Sequence, residues 1–113
     1  MEKMSFAQKV YFLCQMVPPG KVTTYGEIAR VLGIKGYQAI GQALKCNPYA
    51  PVVPCHRVVK KDGSLGGFKG SLNDKVVLEK RMLLEEEGVV FIDGKIDLNV
   101  CLFCFPILAS KNI

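Results

Sequence analysis

Apolar residues recur at helical spacing in four stretches of this chain, and polar or turn-forming residues punctuate them. Phe6, Val10, Leu13 and Val17 fall on one face of a first helix. Ser5-x-x-Gln8 is a capping box at its start, and Pro18-Pro19-Gly20 ends it. Lys21-Val22-Thr23 reads as a short extended piece. Thr24-x-x-Glu27 is a second capping box, opening a short helix with Ile28, Ala29 and Leu32 inward and Gly33 at its stop. Ile34 to Gly36 make a tight connection into a third helix from Tyr37 to Lys45, which predicts a helix-turn-helix.

The third helix has two faces. Ile40 and Leu44 point to a core, while Gln38, Gln42 and Lys45 form an outer stripe with the small residues Ala39, Gly41 and Ala43 nearby. Small residues let a backbone approach a grooved surface, where amides and a lysine can bond bases or phosphates. The alternative is an ordinary solvated helix face. Asn73 caps a last helix reaching Glu87, with Gly88 as its stop. Val76, Leu83 and Glu87 share a face. A carboxylate at an apolar face and at the negative helix end is disfavoured twice, so Glu87 calls for a partner, with His56 or Arg57 the obvious choices. Glu85 and Glu86 read as surface charge. Val89 to Asp97, with its Asp93-Gly94 turn, reads as a small hairpin.

Between these helices lies Pro54-Cys55-His56-Arg57-Val58-Val59, where a cysteine adjoins the single histidine of the chain. A thiolate is the strongest nucleophile available near neutral pH, and an imidazole with a fixed cation is the usual means of forming it. Pro54 disfavours a central strand, and neighbours on a strand point to opposite faces. The segment is therefore expected to turn, or the histidine to serve the sulfur through a water. The competing reading is a cysteine that packs as a small hydrophobe. Asn47-Pro48 leads into this segment, with Asn47 either a simple cap or a brace for the turn. Asp62-Gly63 is a turn, and Gly66 to Gly70 a glycine-rich loop that lacks a phosphate-loop signature.

Length and composition narrow the classes. At 113 residues and 50% hydrophobic, the chain is sized for one core. Its net charge of +5 favours a polyanionic partner, nucleic acid first. Five cysteines at irregular spacing make a poor disulfide framework and suit a reducing compartment. Cys101-x-x-Cys104 lacks a second ligand pair, so no metal site is expected. No signal peptide opens the sequence, and the apolar run from Val100 to Ala109 is too short to span a bilayer.

Gly20 to Ala29, Ile40 to Leu44, Asn47-Pro48, Pro54 to Val59 and Leu83 to Gly88 together resemble the catalytic domain of the O6-alkylguanine-DNA alkyltransferases, the methylated-DNA–protein-cysteine methyltransferases. The resemblance covers residues 5 to about 98 and leaves out the family's usual amino-terminal domain, with any zinc site it holds. It implies a mainly α, winged helix-turn-helix domain over residues 1–98, followed by an apolar tail, 99–113, of unassigned role. The partner would be duplex DNA containing O6-alkylguanine, bound by a monomer in the cytoplasm or, in a eukaryote, the nucleus. No cofactor or membrane would be involved.

By the same resemblance, the helix from Tyr37 to Lys45 enters the minor groove, with Tyr37, Gln38, Ala39, Gly41, Gln42 and Lys45 on the DNA. The damaged guanine flips into a pocket, and Cys55 takes its alkyl group irreversibly. His56, through a water, and Glu87 draw off the thiol proton. Tyr25 crowds the phosphate and donates to the leaving guanine, Asn47 braces the turn, and Arg57 holds it. The Val58 carbonyl reads the guanine amino group, Phe68 stacks near the base, and the Lys69 amide faces O6, with Gly70 beside it. Gln38 stands where the family carries an intercalating arginine. The chain also resembles the alkyltransferase-like proteins in length and in its Gly88 to Leu98 ending, but those carry tryptophan or another residue at the nucleophile position.

Overall fold

The computed structural model describes residues 3–50, 52–68 and 73–105. Helix α1 (Phe6–Met16) starts from the expected capping box, with Ser5 Oγ accepting from Gln8 N and Gln8 Oε1 from Ser5 N. Val10 and Leu13 are buried, and Val17 follows at the C-cap, fully covered. Phe6 departs from the expected inward face. It is 36% exposed, and Cys14 fills the core instead.

Strand β1 (Thr23–Thr24) leads directly into α2 (Tyr25–Leu32). Thr24 Oγ1 caps Glu27 N, but the Glu27 carboxylate turns to Arg30 at 2.8 and 3.1 Å, so only half of the expected box forms. Ile28, Ala29 and Val31 face the core, with Leu32 half-buried. Gly33 ends the helix at φ 71°, a left-handed conformation glycine adopts without a Cβ penalty.

Helix α3 (Gln38–Lys45) begins one residue later than expected, with Tyr37 as its N-cap. Ile40 and Leu44 are buried as the pattern predicts. Ala43 is also buried, at 7% exposure, and so leaves the outer stripe. It lies one position from Leu44 on the side that meets α1, where the Tyr11 hydroxyl donates to its carbonyl at 2.8 Å.

After a one-turn 3₁₀ segment (Cys55–Arg57), β2 (Val58–Val59) returns parallel to β1, with Thr23 opposite Val58 and Thr24 opposite Val59. Helix α4 (Asp74–Glu86) is capped by Asn73 Oδ1 accepting from Lys75 N. Strands β3 (Phe91–Ile92) and β4 (Lys95–Ile96) form the expected hairpin, with Asp93 and Gly94 at φ 52° and 80°, the signs of a type I′ turn.

A short helix, α5 (Leu98–Cys101), was not legible in the pattern. The chain beyond it lies against β1: Val22 N donates to Cys101 O, and Phe103 N donates to Val22 O at 2.8 Å. Within 99–105, Cys101 and Phe105 are buried.

Two core clusters result. One joins α1, α2 and α3 with Val53, Cys55, Val58, Phe68 and Phe105. The other gathers Val22, Val59, Leu84, Val89, Ile96 and Cys101 behind the β1–β2 pair. The architecture is mainly helical. Among the described residues, no helix is long and apolar enough to cross a membrane.

Candidate active site

The Cys55 segment turns, as Pro54 implies. Cys55 N donates to Val53 O at 2.8 Å and Arg57 N to Pro54 O at 3.0 Å. Asn47 resolves toward the brace. Its Nδ2 donates to Val53 O at 3.0 Å, and its Oδ1 accepts from Tyr49 N at 2.9 Å. One amide thus ties the end of α3, the approach loop and the residue whose carbonyl holds Cys55 N.

On the far side of the turn, Glu87 is the C-cap of α4 and takes both expected partners rather than one. Arg57 donates to it through Nε at 3.0 Å and Nη2 at 2.6 Å, and sends Nη1 to Val17 O at 2.7 Å. His56 Nε2 lies 3.1 Å from each Glu87 oxygen. Burial alone raises the Glu87 carboxyl, but the hydrogen bonds and charges of Arg57 and His56 outweigh it and hold the group below its ordinary value. A carboxylate cannot donate, so Nε2 carries the proton. Burial is also the largest influence on His56. It lowers the pKa below 6.5, with Arg57 assisting and Glu87 opposing. The imidazole is therefore neutral near pH 7, and among the described residues its Nδ1, an acceptor in this tautomer, has no hydrogen-bond partner.

Cys55 is 7% exposed and forms part of a cleft of about 470 Å³. Tyr25, Gln38, Gly41, Gln42 and Phe68 are among its other walls. Burial raises the Tyr25 phenol, with negative charge on Cys55 the next contribution, so Tyr25 keeps its proton and can donate it. Cys14, fully buried, is pushed up to about 12 and is inert. A larger cleft of about 640 Å³, lined by α1 and by Pro48, Tyr49, Ala50, Val52 and Val53, contains no thiol, imidazole or carboxylate among the described residues.

Of the other expected DNA-contact residues, Tyr37, Ala39 and Lys45 are exposed and Gly41 is half-buried. The Gln42 amide reaches back to Cys46 Sγ at 3.5 Å. Phe68 is a wall at 5% exposure and also a member of the larger core cluster. Lys69 and Gly70 lie outside the described residues.

Lys80 is the residue that the sequence reading missed. It is 1% exposed, and its ammonium donates to the carbonyls of Val58 at 2.8 Å, Leu65 at 2.6 Å and Gly67 at 3.0 Å. Burial pulls its pKa down to about 8, against the favourable effect of negative charge on Cys55. One lone pair of the Val58 carbonyl, the expected guanine reader, is thus already engaged. The signal was present: Val76, Lys80, Leu83, Leu84 and Glu87 recur at helical spacing, with a cation at the centre of the stripe.

Residues 5–89 match the family model described as 6-O-methylguanine DNA methyltransferase, DNA binding domain. The methylated-DNA–protein-cysteine methyltransferase of Haemophilus influenzae is 37% identical over 93 residues, covering 81% of this chain and 49% of that protein. The chain spans about half the length of most of the curated relatives it matches. Among solved structures, Mycobacterium tuberculosis OGT in complex with DNA superposes with a TM-score of 0.66 at 40% identity, over 75% of this chain and 50% of that one. S. pombe Atl1, in complex with damaged DNA containing O6-carboxymethylguanine, superposes with a TM-score of 0.73 at 33% identity. That alignment covers 94% of this chain and 98% of that one.

Proposed function

Because this chain belongs to the O6-methylguanine-DNA methyltransferase family, a family of DNA-binding repair alkyltransferases, we propose that it transfers the alkyl group of O6-alkylguanine in duplex DNA to Cys55, once per molecule. One observation carries the reading. Cys55 lines a cleft, and the imidazole next to it in sequence is neutral, with Nε2 held on the Glu87 carboxylate and Nδ1 left with no hydrogen bond among the described residues.

The extruded base enters the Cys55 cleft. His56 Nδ1 takes the thiol proton through a water, and Glu87 stabilises the imidazolium that forms. The thiolate attacks the alkyl carbon. The S–C bond forms as the C–O bond breaks, and the electron pair goes to guanine. Tyr25 donates a proton to the leaving base, and the His56 proton restores the balance. No cofactor takes part. Arg57 and Asn47 hold the turn, and α3 presents Gln38, Ala39, Gly41, Gln42 and Lys45, with Tyr37 at its start, to the DNA. The protein acts as a monomer in the cytoplasm, or in the nucleus of a eukaryote.

The test is intact-protein mass after exposure to an oligonucleotide bearing O6-methylguanine. A gain of one methyl group per chain, lost in Cys55→Ala, is the expected result. A second reading, lesion binding without transfer, draws on the near-complete match to Atl1 bound to damaged DNA. Tight lesion binding with no mass gain, unchanged in Cys55→Ala, would establish it in place of the first.

A further inference from the structure

A second cleft adjoins the Cys55 site and carries cations for which the transfer chemistry has no use. It measures about 480 Å³, and its walls include Tyr25, Tyr37, Gln38, Lys60, Lys61 and Gly66. Tyr25, Gln38, Gly41 and Gly67 belong to both clefts, so the two share a wall. A Cβ placed on Gly66 would lie 3.6 Å from Lys60 Cγ, 3.7 Å from Lys60 Cε and 3.8 Å from the Tyr25 hydroxyl. The Lys60 stem and the Tyr25 phenol therefore flank one point of the loop. A Cβ on Gly26 would lie 3.5 Å from the Tyr37 hydroxyl, which places that phenol over the first turn of α2.

Lys60 and Lys61 are exposed, and among the described residues neither forms an ion pair. The nearest carboxylate in sequence, Asp62, turns to Ser64 and Lys95. Its residues include two lysines and two tyrosines and, among the described residues, no carboxylate, although most of the exposed wall is apolar. Two lysines without a carboxylate partner at the edge of such a wall suit an anion. A nucleotide whose base fills the first cleft carries a phosphate on either side of its sugar, and the adjoining cleft is one place such a phosphate can reach.

We propose that Lys60 and Lys61 seat a phosphodiester flanking the nucleotide whose base occupies the Cys55 cleft. The inference rests on reading that cleft as the base pocket. It goes further by assigning a separate anion site in a cleft that shares Tyr25 with the Cys55 cleft but does not include Cys55. The two lysines supply charge where the backbone must swing outward, and they hold the strand while the base is extruded.

The test uses the full chain with Cys55→Ser, so that binding is read without transfer. Affinity for a duplex bearing one O6-methylguanine is followed by fluorescence anisotropy across a KCl series. Lys60→Gln/Lys61→Gln is expected to reduce the slope of log Kd on log salt by about 1 to 2, whereas Lys75→Gln, outside both clefts, leaves it unchanged. Lys60→Arg/Lys61→Arg is expected to restore the slope. A neutral methylphosphonate is then placed 5′ or 3′ of the lesion, one at a time. At one of these positions the double glutamine variant should lose no further affinity relative to its parent. An unchanged salt slope, or an undiminished cost of the double variant on both methylphosphonate duplexes, overturns the site. Methyl transfer is scored separately, by mass on the chain that retains Cys55. If that transfer fails while the phosphate cycle closes, the phosphate seat stands and the transfer reading falls.

Discussion

Arg57 and Glu87, thirty residues apart, meet through two parallel hydrogen bonds of 3.0 and 2.6 Å. The same guanidinium holds Val17 O at the end of α1, so the reactive turn is pinned between the ends of two helices. Glu87→Gln keeps the shape and removes the charge. Breaking a fully buried pair costs about 3–5 kcal/mol. Here the Glu87 side chain is 20% exposed, so the expected loss is about 2 kcal/mol, read by urea denaturation. Single-turnover alkyl transfer should slow about 100-fold, because His56 loses its orienting anion.

Acid should weaken the fold just below 6.5 while the transfer rate still holds. His56 and Glu87 both sit below their ordinary values when folded. The unfolded chain therefore binds more protons than the native one as pH falls. The His56 contribution is present above 6.5 and the Glu87 contribution above 4.5, and each is lost as pH drops through its depressed folded value. Transfer should hold its rate on passing below 6.5, since His56 stays neutral there. A pH series of single-turnover rates alongside thermal melts checks both; a half-maximal rate at 6.5 would contradict the assignment.

Lys80→Met should damage the cleft without touching the sulfur. Methionine fills the volume but leaves the carbonyls of Val58, Leu65 and Gly67 without their donor. Each stranded acceptor costs about 1–3 kcal/mol, offset by relief of a buried charge. A net loss of about 2 kcal/mol is expected, together with faster amide exchange in residues 64–68. Normal exchange there would contradict the tethering role.

Thr23→Val should stabilise the fold. Thr23 is fully buried, and its hydroxyl oxygen has no hydrogen-bond partner among the described residues. Valine has the same shape without the stranded group. The expected gain is about 1 kcal/mol, or about 4–8 °C in Tm, with methyl transfer unchanged.

Much of this arrangement is written in local signals. Ser5-x-x-Gln8, Gly33, Asn73 and Asp93-Gly94 set element boundaries through side-chain and backbone preferences that operate over a few residues. The awkward position of Glu87 disclosed that it needed a partner, because a charge at an apolar face has few tolerable states. What stayed hidden depends on long-range packing. Phe6 has the right spacing yet stays partly exposed, Ala43 is covered where α1 meets α3, and Lys80 looks like any surface lysine until three carbonyls converge on it. Helix α5 is a single turn of about four residues, too short to leave a periodic trace.

The bond pattern around Val22 bears on how the protein is made. Strand β1, which launches α2 and positions Tyr25, is flanked by β2 on one side and by residues 101–103 on the other. Val22, Val59 and Leu84 are sealed only when Ile96 and Cys101 arrive. A ribosome delivers those residues well after the Cys55 turn, at about 5–20 residues per second. The nascent chain therefore holds Cys55 in an unfinished frame until Cys101 has emerged, and a message truncated before residue 96 would leave Val22, Val59 and Leu84 without their cover.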